Sequence, residues 1–209
     1  MEKDISEDLA KIPDNQPCQR ICDFGCGDGL STLSLTSLLR AEKVYGIDKY
    51  EQNINQAKLW GRALEKFIEL SKTNSDIDIS LQNQAIKALA LYKNIEFKVR
   101  DVAEGELPLN LDIAYCNLLL VNIYNGSYEN QASGISGVEA AIENISNSLV
   151  QGGYFLAIEQ YGHGLNFNHL FEKVGLQGDG IHFHRSPITT NGRTFFTENR
   201  IKYVYRKCL

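Results

Sequence analysis

The chain has 209 residues, of which 43% are hydrophobic and 22% charged, and this composition supports one compact domain with a sizeable buried core. Its 21 basic and 26 acidic side chains give a formal net charge of −5, which argues against a general nucleic-acid binder, because such proteins contact phosphates mainly through Lys and Arg. No segment approaches the roughly 20 apolar residues of a membrane-spanning helix, and the acidic start does not resemble a secretory signal, so a soluble, cytoplasmic protein is expected.

From residue 20 onward, short β-rich segments alternate with longer segments of helical period, which is typical of an α/β fold with a mainly parallel sheet. We predict an N-terminal arm over residues 1–19 and a single domain over residues 20–209. The predicted strands are, in chain order, Arg20–Phe24, Val44–Asp48, Ile95–Arg100, Leu111–Cys116, Tyr154–Ile158, Gly180–Arg185 and Arg200–Arg206. The predicted helices are Leu30–Leu39, Tyr50–Leu70, Leu81–Tyr92, Ile135–Leu149 and Phe167–Val174.

The end of the chain differs from the rest of this pattern. Gly152 and Gly153 are expected to end the Ile135–Leu149 helix before the fifth strand begins. No helix of adequate length separates the last two predicted strands, and parallel neighbours need a crossover of roughly a dozen residues or more. The last two strands are therefore predicted to be an antiparallel pair.

A Gly-x-Gly-x-Gly turn, Gly25-Cys26-Gly27-Asp28-Gly29, connects the first predicted strand to the first predicted helix. Alternate glycines allow backbone angles that other residues avoid, and they remove the side chains that would keep a ligand away from the main chain. The strand–turn–helix context is typical of a nucleotide-type site. A purely structural turn is the alternative interpretation.

Two further acidic residues end predicted strands. Asp48 lies 48 − 27 = 21 residues beyond Gly27, where a carboxylate can accept the hydroxyl groups of a ribose. Asp101 follows the third strand. Because ligands of open parallel sheets bind at the carboxyl ends of the strands, Asp23, Asp48 and Asp101 are expected to converge on one crevice. Three carboxylates suit a ligand with hydroxyls, an exocyclic amine and positive charge better than a pyrophosphate.

At these residues the chain resembles the class I, Rossmann-like S-adenosylmethionine-dependent methyltransferases, in element order over residues 18–207. The resemblance implies a three-layer sandwich with a mainly parallel seven-stranded sheet and a C-terminal antiparallel strand. The segments that carry it are Asp23-Phe24-Gly25-Cys26-Gly27-Asp28-Gly29, Val44–Asp48, Val99-Arg100-Asp101-Val102 with Leu107-Pro108, and Leu149–Tyr154.

The resemblance also implies a cofactor, S-adenosylmethionine, and residues that bind it. Asp23 and the Gly25-Cys26-Gly27 backbone would hold the methionine part, Asp48 the ribose and Asp101 the adenine amine. Val102 would supply a backbone contact to the ring, Asn117 would lie between cofactor and substrate, and Lys49 and Leu30 would pack against the adenosine. The implied cofactor-binding set is Asp23, Phe24, Gly25, Cys26, Gly27, Gly29, Asp48, Lys49, Asp101, Val102 and Asn117.

Methyl transfer to an unidentified acceptor is the function that follows, with a small molecule favoured over nucleic acid because of the single domain and the acidic surface. A Rossmann-like protein-lysine methyltransferase and a non-catalytic binding protein are the alternatives. Leu30 occupies the position of a nicotinamide enzyme's third glycine, which disfavours an oxidoreductase. Three leucines follow Asn117, which argues against methylation of nucleobase amines. Positioning of donor and acceptor is the expected mechanism, and no catalytic residue is assigned.

Other side chains have simpler interpretations. His163, after the fifth strand, is a candidate base, but an ordinary loop histidine is the favoured interpretation. His182 and His184 lie on one face of a strand without further ligands, and the five cysteines lack the spacing of a cluster, so free thiols and no metal are expected. Trp60 is predicted to lie in the core or at a helix interface. Four aromatic residues near the ends of the fourth and fifth strands are candidates for the wall of an acceptor pocket, with core packing of about half of them as the alternative: Tyr115, Tyr124, Tyr128 and Tyr161.

Overall fold

A computed structural model describes the backbone of residues 19–39, 41–74, 76–126, 134–160, 167–184, 188–190, 193–195 and 199–208, and the side chains of these residues except for 160 and 179–202. Of the predicted arm, only Gln19 lies within the described residues. The chain divides into two compact units, Met1–Asp101 (unit 1) and Val102–Leu209 (unit 2).

The described part of unit 1 contains three parallel strands and three helices. They are β1 (Arg20–Phe24), α1 (Leu30–Leu39), β2 (Lys43–Asp48), α2 (Glu51–Thr73), α3 (Ile79–Tyr92) and β3 (Ile95–Val99). β2 pairs with β1 on one side and with β3 on the other. Every residue of β1 after Arg20 is buried, as expected of a strand that is covered on both faces.

The core of unit 1 lies between the sheet and α2. Cys26, Ile54, Ala57 and Phe97 form a buried apolar cluster, against which Tyr92 packs. The Tyr92 hydroxyl donates to the Ala57 carbonyl oxygen at 3.0 Å and so joins α3 to α2. At the start of α3 the Asp78 carboxylate caps the helix by accepting from the Ser80 N–H at 2.7 Å.

Unit 2 contains the other strands and three further helices. They are β4 (Leu111–Asn117), α4 (Leu119–Tyr124), α5 (Ile135–Ser148), β5 (Leu149–Gln160), α6 (Asn168–Lys173), β6 (Leu176–His184), β7 (Ile188–Thr190), β8 (Arg193–Phe195) and β9 (Asn199–Lys207). An aromatic cluster packs at its core, with ring centroids 4.6–6.4 Å apart, and consists of Phe155, Phe167, Phe171, Tyr203 and Tyr205.

The strands form a seven-stranded mixed sheet in the order β3-β2-β1-β4-β5-β9-β6, and β7 and β8 form a separate hairpin that the sequence analysis did not predict. β4 and β5 are parallel, whereas β9 is antiparallel to both β5 and β6. The predicted α/β class, the mainly parallel sheet and its antiparallel C-terminal strand are confirmed.

The prediction that Gly152 and Gly153 end a helix is wrong. α5 ends at Ser148, and β5 runs through both glycines. The register against β4 shifts at this point, since Leu111 pairs with Leu149 whereas Ile113 pairs with Tyr154. Gly152 has a φ of 80°, and a Cβ on Gly153 would lie 3.0 Å from the Leu111 carbonyl oxygen. The glycines therefore allow an irregularity inside the strand.

α4 was also not predicted, because its apolar residues read as a continuation of the fourth strand. In the structure β4 ends at Asn117, and Leu118 adopts a left-handed conformation with a φ of 59°. The chain then turns into α4, where four of the six residues are buried. None of the described helices is long and apolar enough to span a membrane.

Candidate active site

The glycine turn joins β1 to α1 and is anchored to the end of β2. Gly25, Gly27 and Gly29 have φ angles of 72°, 54° and 82°, which are conformations that glycine adopts readily. The backbone N–H groups of Gly25 and Cys26 donate to the Ile47 carbonyl oxygen at 2.7 and 3.0 Å. The backbone of the turn is thus fixed by the neighbouring strand.

Gly27 and Gly29 have different surroundings. A Cβ placed on Gly27 would meet no atom within 4 Å, so the space in front of this residue is open. A Cβ on Gly29 would lie 2.9 Å from both Ala57 and the ring of Phe97. Gly29 therefore lets the turn pack against α2 and β3, whereas Gly27 leaves main chain accessible to a ligand.

Asp48, the last residue of β2, is 8% exposed and accepts hydrogen bonds at both carboxylate oxygens. Its Oδ2 accepts from the Gly27 N–H at 2.9 Å. Its Oδ1 accepts from the Tyr50 N–H at 2.8 Å and from Nδ2 of Asn53 at 3.1 Å. Asp48 therefore joins the glycine turn to the first turn of α2, directly beside the open space at Gly27.

Asp23 is 1% exposed and joins β1 to α1. Its Oδ2 accepts hydrogen bonds from the hydroxyl groups of Ser31 and Thr32, both at 2.6 Å. Burial raises the pKa of Asp23 from 3.8 to about 6; the two hydroxyl groups lower it, and the charge of Asp48 raises it. Asp23 thus contributes a buried carboxylate behind the turn and holds α1 in place.

Lys49 and Asp101, which follow β2 and β3, form an ion pair in unit 1. The Lys49 Nζ lies 3.5 Å from Oδ2 of Asp101, and the two side chains are 17% and 23% exposed. Lys49 also lies over the ring of Tyr50, at 5.8 Å from the centroid. The Arg100 N–H donates to the Asp48 carbonyl oxygen at 3.0 Å and keeps the ends of the two strands together.

Phe24 and Cys26, which belong to the predicted set, have side chains in the core of unit 1. Phe24 is fully buried and Cys26 is 3% exposed. Burial raises the pKa of the Cys26 thiol well above its usual range, and the charges of Asp23 and Asp48 raise it further, so the thiol is protonated at neutral pH. Phe24 and Cys26 thus offer a ligand only their main chain.

Val102 and Asn117, the remaining residues of the predicted set, belong to unit 2. The Val102 carbonyl oxygen accepts from Nδ2 of Asn144 at 3.0 Å. Asn117 is half-buried at the end of β4. The Leu118 N–H after it donates to the Ile158 carbonyl oxygen at 2.7 Å.

Several residues that the structure places around these predicted positions were missed. Asn53 sits in the first turn of α2, and only its polar type at this position hinted at contact with the preceding loop. Ser31 and Thr32, read as parts of a helical stripe, hold Asp23. The buried Glu159 carboxylate accepts from the N–H groups of Leu120 and Val121 at 2.9 and 3.0 Å and supports the start of α4.

Trp60 also differs from its prediction as a core or helix-interface residue. It is 36% exposed, and its Nε1–H donates to the Asp28 carbonyl oxygen at 3.0 Å. This hydrogen bond ties α2 to the glycine turn. Because the acceptor is a main-chain atom 32 residues away, the sequence held no signal for it.

Some of the other candidate residues are outside the described part of the chain. Cys18, Tyr128, Tyr161 and His163 are outside the described residues, as are the side chains of His182 and His184 on β6. Tyr115 is buried in the core, and Tyr124 is half-buried at the end of α4.

Among the described residues, no group of three His, Cys, Asp or Glu side chains is placed to hold a metal ion. The described cysteines, free in each case, are Cys22, Cys26, Cys116 and Cys208.

Solved structures of methyltransferases are similar to the chain over nearly its whole length. The N-methyltransferase NodS from Bradyrhizobium japonicum WM9 matches with a TM-score of 0.61 and 12% identity, over 100% of this chain and 97% of NodS. A TehB-like SAM-dependent methyltransferase from Corynebacterium glutamicum matches with a TM-score of 0.58 and 17% identity, over 97% of this chain and 86% of that one. The chain has the fold of these methyltransferases.

Sequence similarity is more limited. A human protein named "Probable methyltransferase-like protein 25" is 31% identical over 106 residues, which are 51% of this chain and 17% of the human protein. The chain thus spans less than a fifth of that relative's length. No protein-family model matches the sequence.

Proposed function

We propose that the chain is an S-adenosylmethionine-dependent methyltransferase that transfers a methyl group to a small molecule. The observation that carries this proposal is the open space in front of Gly27 beside the buried Asp48 carboxylate, whose Oδ2 lies 2.9 Å from the Gly27 nitrogen. An accessible main chain next to a fixed carboxylate suits a nucleoside that presents hydroxyl groups. Structural neighbours named as methyltransferases share this fold, one of them named as SAM-dependent.

The residues present suit this cofactor. In the proposal the backbone of Gly25 and Gly27 faces the methionine part, Asp48 accepts from the ribose, and Asp101 accepts from the adenine amine. The Asp101 carboxylate lies 3.5 Å from the Lys49 ammonium, and a carboxylate accepts hydrogen bonds, as the amine of adenine requires. Asp23 acts as a positioning residue, because its 1% exposure and its bonds to Ser31 and Thr32 place it behind the turn.

The proposed cofactor-binding set also includes Val102 and Asn117, which belong to unit 2. Asn117 is the candidate for the boundary between cofactor and acceptor, since it ends β4 immediately before the left-handed Leu118. Glu159 holds the next two N–H groups of the chain and thereby keeps this segment in place. We further propose that residues 20–209 act together as the methyltransferase domain and that residues 1–19 are an arm.

The protein has little covalent chemistry to perform in this proposal. Bound S-adenosylmethionine supplies an activated methyl group on a positively charged sulfur with a neutral leaving group. The chain's task is to hold donor and acceptor in line, and such positioning is able to contribute roughly 7–11 kcal/mol to lowering a barrier. The carboxylates of Asp48 and Asp101, with Lys49 paired to the second of them, leave the unit 1 site with net negative charge, which favours a positively charged ligand.

A small acceptor is proposed from charge and composition. A formal net charge of −5 disfavours binding to nucleic-acid backbones. The residues that follow Asn117 are apolar, and Leu119, Leu120 and Val121 are buried in α4, so they supply packing rather than polar recognition of a base. The free thiols of the described cysteines fit action in the reducing cytoplasm.

Calorimetry with S-adenosylmethionine, S-adenosylhomocysteine and NADH tests the cofactor. Both adenosyl compounds are expected to bind and NADH is not, because Leu30 occupies the position of the third glycine that a nicotinamide enzyme uses beside the pyrophosphate. Binding of NADH without binding of either adenosyl compound would overturn the proposal in favour of an oxidoreductase.

Transfer of a radiolabelled methyl group into a cell extract tests the acceptor. The label is expected in the small-molecule fraction after separation from protein and RNA. Label in protein would instead identify a protein methyltransferase. Binding of S-adenosylhomocysteine with no label in any fraction would identify a non-catalytic binding protein.

A further inference from the structure

Asp48 has less free hydrogen-bonding capacity than the binding of both ribose hydroxyl groups requires. A carboxylate accepts about four hydrogen bonds, two at each oxygen. Oδ1 already accepts from the Tyr50 N–H at 2.8 Å and from Asn53 at 3.1 Å. Oδ2 accepts from the Gly27 N–H at 2.9 Å. Within the described part of the chain, Oδ2 therefore keeps room for about one further donor, whereas a ribose offers two neighbouring hydroxyl groups.

Asn53 supplies the missing capacity. Its Nδ2 uses one hydrogen on Asp48, and among the described residues Asp48 is the hydrogen-bond partner of this side chain. The carboxamide oxygen and the second N–H are left for a ligand. The side chain is half-buried in the first turn of α2, so a hydrogen bond made there is partly shielded from water.

The position of Asn53 is fixed by the backbone as well. Its own N–H donates to the Tyr50 carbonyl oxygen at 3.1 Å, while the Tyr50 N–H is held by Asp48. The carboxamide is thus fixed relative to the carboxylate before any ligand arrives. A carboxamide both donates and accepts, so it pairs with a hydroxyl group in either orientation.

We propose that Asn53 is a specificity-determining residue that binds one ribose hydroxyl group while Oδ2 of Asp48 binds the other. This inference rests on the proposed function, and it replaces the expectation that Asp48 binds both hydroxyl groups. In this inference, one side chain from β2 and one from α2 together distinguish a ribose from a sugar that lacks the 2′ or the 3′ hydroxyl group.

Calorimetry with S-adenosylhomocysteine and its 2′-deoxy and 3′-deoxy analogues tests the assignment. The wild type is expected to bind each analogue about tenfold or more weakly than the parent compound, since each loses one hydrogen bond in a partly buried site. In Asn53→Leu, the parent compound is expected to weaken about tenfold and to bind no better than one of the two analogues. Discrimination against the other analogue is expected to persist, because Asp48 is unchanged.

The matched control is Asn55→Leu, which changes the same residue type at an exposed position of the same helix. It is expected to keep both discriminations. If Asn53→Leu does not fold, Asn53→Ala removes the same polar groups without adding an apolar side chain and replaces it in the comparison.

The outcomes separate this inference from the proposed function. Retention of both discriminations in the Asn53 variant would overturn the assignment, and so would loss of both, which would make Asn53 a support for Asp48 alone. In either case the proposed cofactor would stand, because the wild type binds it. Failure of the wild type to bind S-adenosylhomocysteine would overturn both.

Discussion

Asp48 has a structural role and a proposed binding role at the same carboxylate. Its hydrogen bonds to Gly27, Tyr50 and Asn53 fix the turn and the start of α2 without any ligand. A site that is already ordered in this way loses little conformational freedom when it binds. The same bonds mean that removal of Asp48 affects stability as well as affinity.

We therefore expect Asp48→Ala to weaken binding of S-adenosylhomocysteine by about 1.5–3 kcal/mol, through loss of a charged acceptor, and to lower the free energy of unfolding. Calorimetry and urea unfolding measure the two effects. Asp28→Ala is the control, because this acid lies in the same turn but is exposed, and within the described residues its carboxylate accepts from the Leu30 N–H alone. Equal affinity of the Asp48 variant and the wild type would remove Asp48 from the site.

Gly27 and Gly29 are expected to respond differently to the same substitution. Gly27→Ala adds a methyl group to open space, so the protein should fold with a cost of about 1 kcal/mol from its positive φ but lose cofactor binding. Gly29→Ala meets Ala57 and Phe97 and should destabilise the fold by about 1–3 kcal/mol or more. Thermal unfolding combined with calorimetry distinguishes them, and a reversed pattern would place the ligand elsewhere.

The raised pKa of Asp23 predicts that the free energy of unfolding depends on pH. Its folded pKa of about 6 lies above the usual 3.8, so between these values the native state holds a proton that the unfolded state has lost. The stability of the wild type relative to Asp23→Asn should therefore fall by about 2 kcal/mol as the pH rises from about 4 to about 6. Urea unfolding of both proteins across this range measures the difference, and a constant difference would contradict the raised pKa.

At the scale of the elements, three of them converge on the glycine turn. A carbonyl oxygen of β2 accepts hydrogen bonds from N–H groups of the turn, and α1 begins directly after the turn. α2 donates a hydrogen bond to the turn from Trp60. α3 in turn supports α2, where Gly61 faces the ring of Tyr92. The geometry of the turn thus depends on the packing of helices that do not themselves line it.

Gly61→Ala tests the contact between α2 and α3. A Cβ at this position would overlap Cε1 of Tyr92, whose hydroxyl group donates to the Ala57 carbonyl oxygen. The overlap should outweigh the higher helix propensity of alanine and destabilise the protein by about 1–2 kcal/mol in urea unfolding. In a Tyr92→Leu background the same substitution should be neutral or stabilising. A cost that is equal in both backgrounds would show that the two residues do not interact.

Elements with a clear period or a clear turn signal were predictable from the sequence. β1 and α1 have the predicted bounds, because a buried apolar strand, a glycine turn and a helical stripe follow one another. The start of β5 and the whole of α4 were not, since apolar residues around Gly152 and after Asn117 fit a helix or a strand equally well. Tertiary pairing with β4 and the left-handed Leu118 decide these cases, and neither leaves a periodic signal.

The candidate site shows the same division. The glycines, Asp48 and Asp101 were predictable because strand ends and turn chemistry are local features. Asn53, Ser31, Thr32 and Trp60 were not, because their roles depend on which atom of a neighbouring element they reach. A sequence indicates such partners only when their spacing follows a known motif.

At the scale of the whole molecule, a ligand that binds only the folded chain stabilises all of it. S-adenosylhomocysteine at about 100 times its dissociation constant should add about 2.7 kcal/mol to the free energy of unfolding, whereas NADH at the same concentration should add nothing. Thermal unfolding with and without each compound measures this. The Asn55→Leu variant should respond like the wild type, and stabilisation by NADH alone would contradict the proposed cofactor.

The hydrogen bond from Trp60 to the glycine turn makes tryptophan fluorescence a signal for changes at the turn. Trp60 is the single tryptophan of the chain, so all indole fluorescence comes from a ring whose N–H contacts the Asp28 carbonyl oxygen. With 36% of the residue exposed, the emission should respond to any shift of the turn or to exclusion of water from it. Ligand titrations can thus be followed optically, without attaching a dye and without knowing the methyl acceptor.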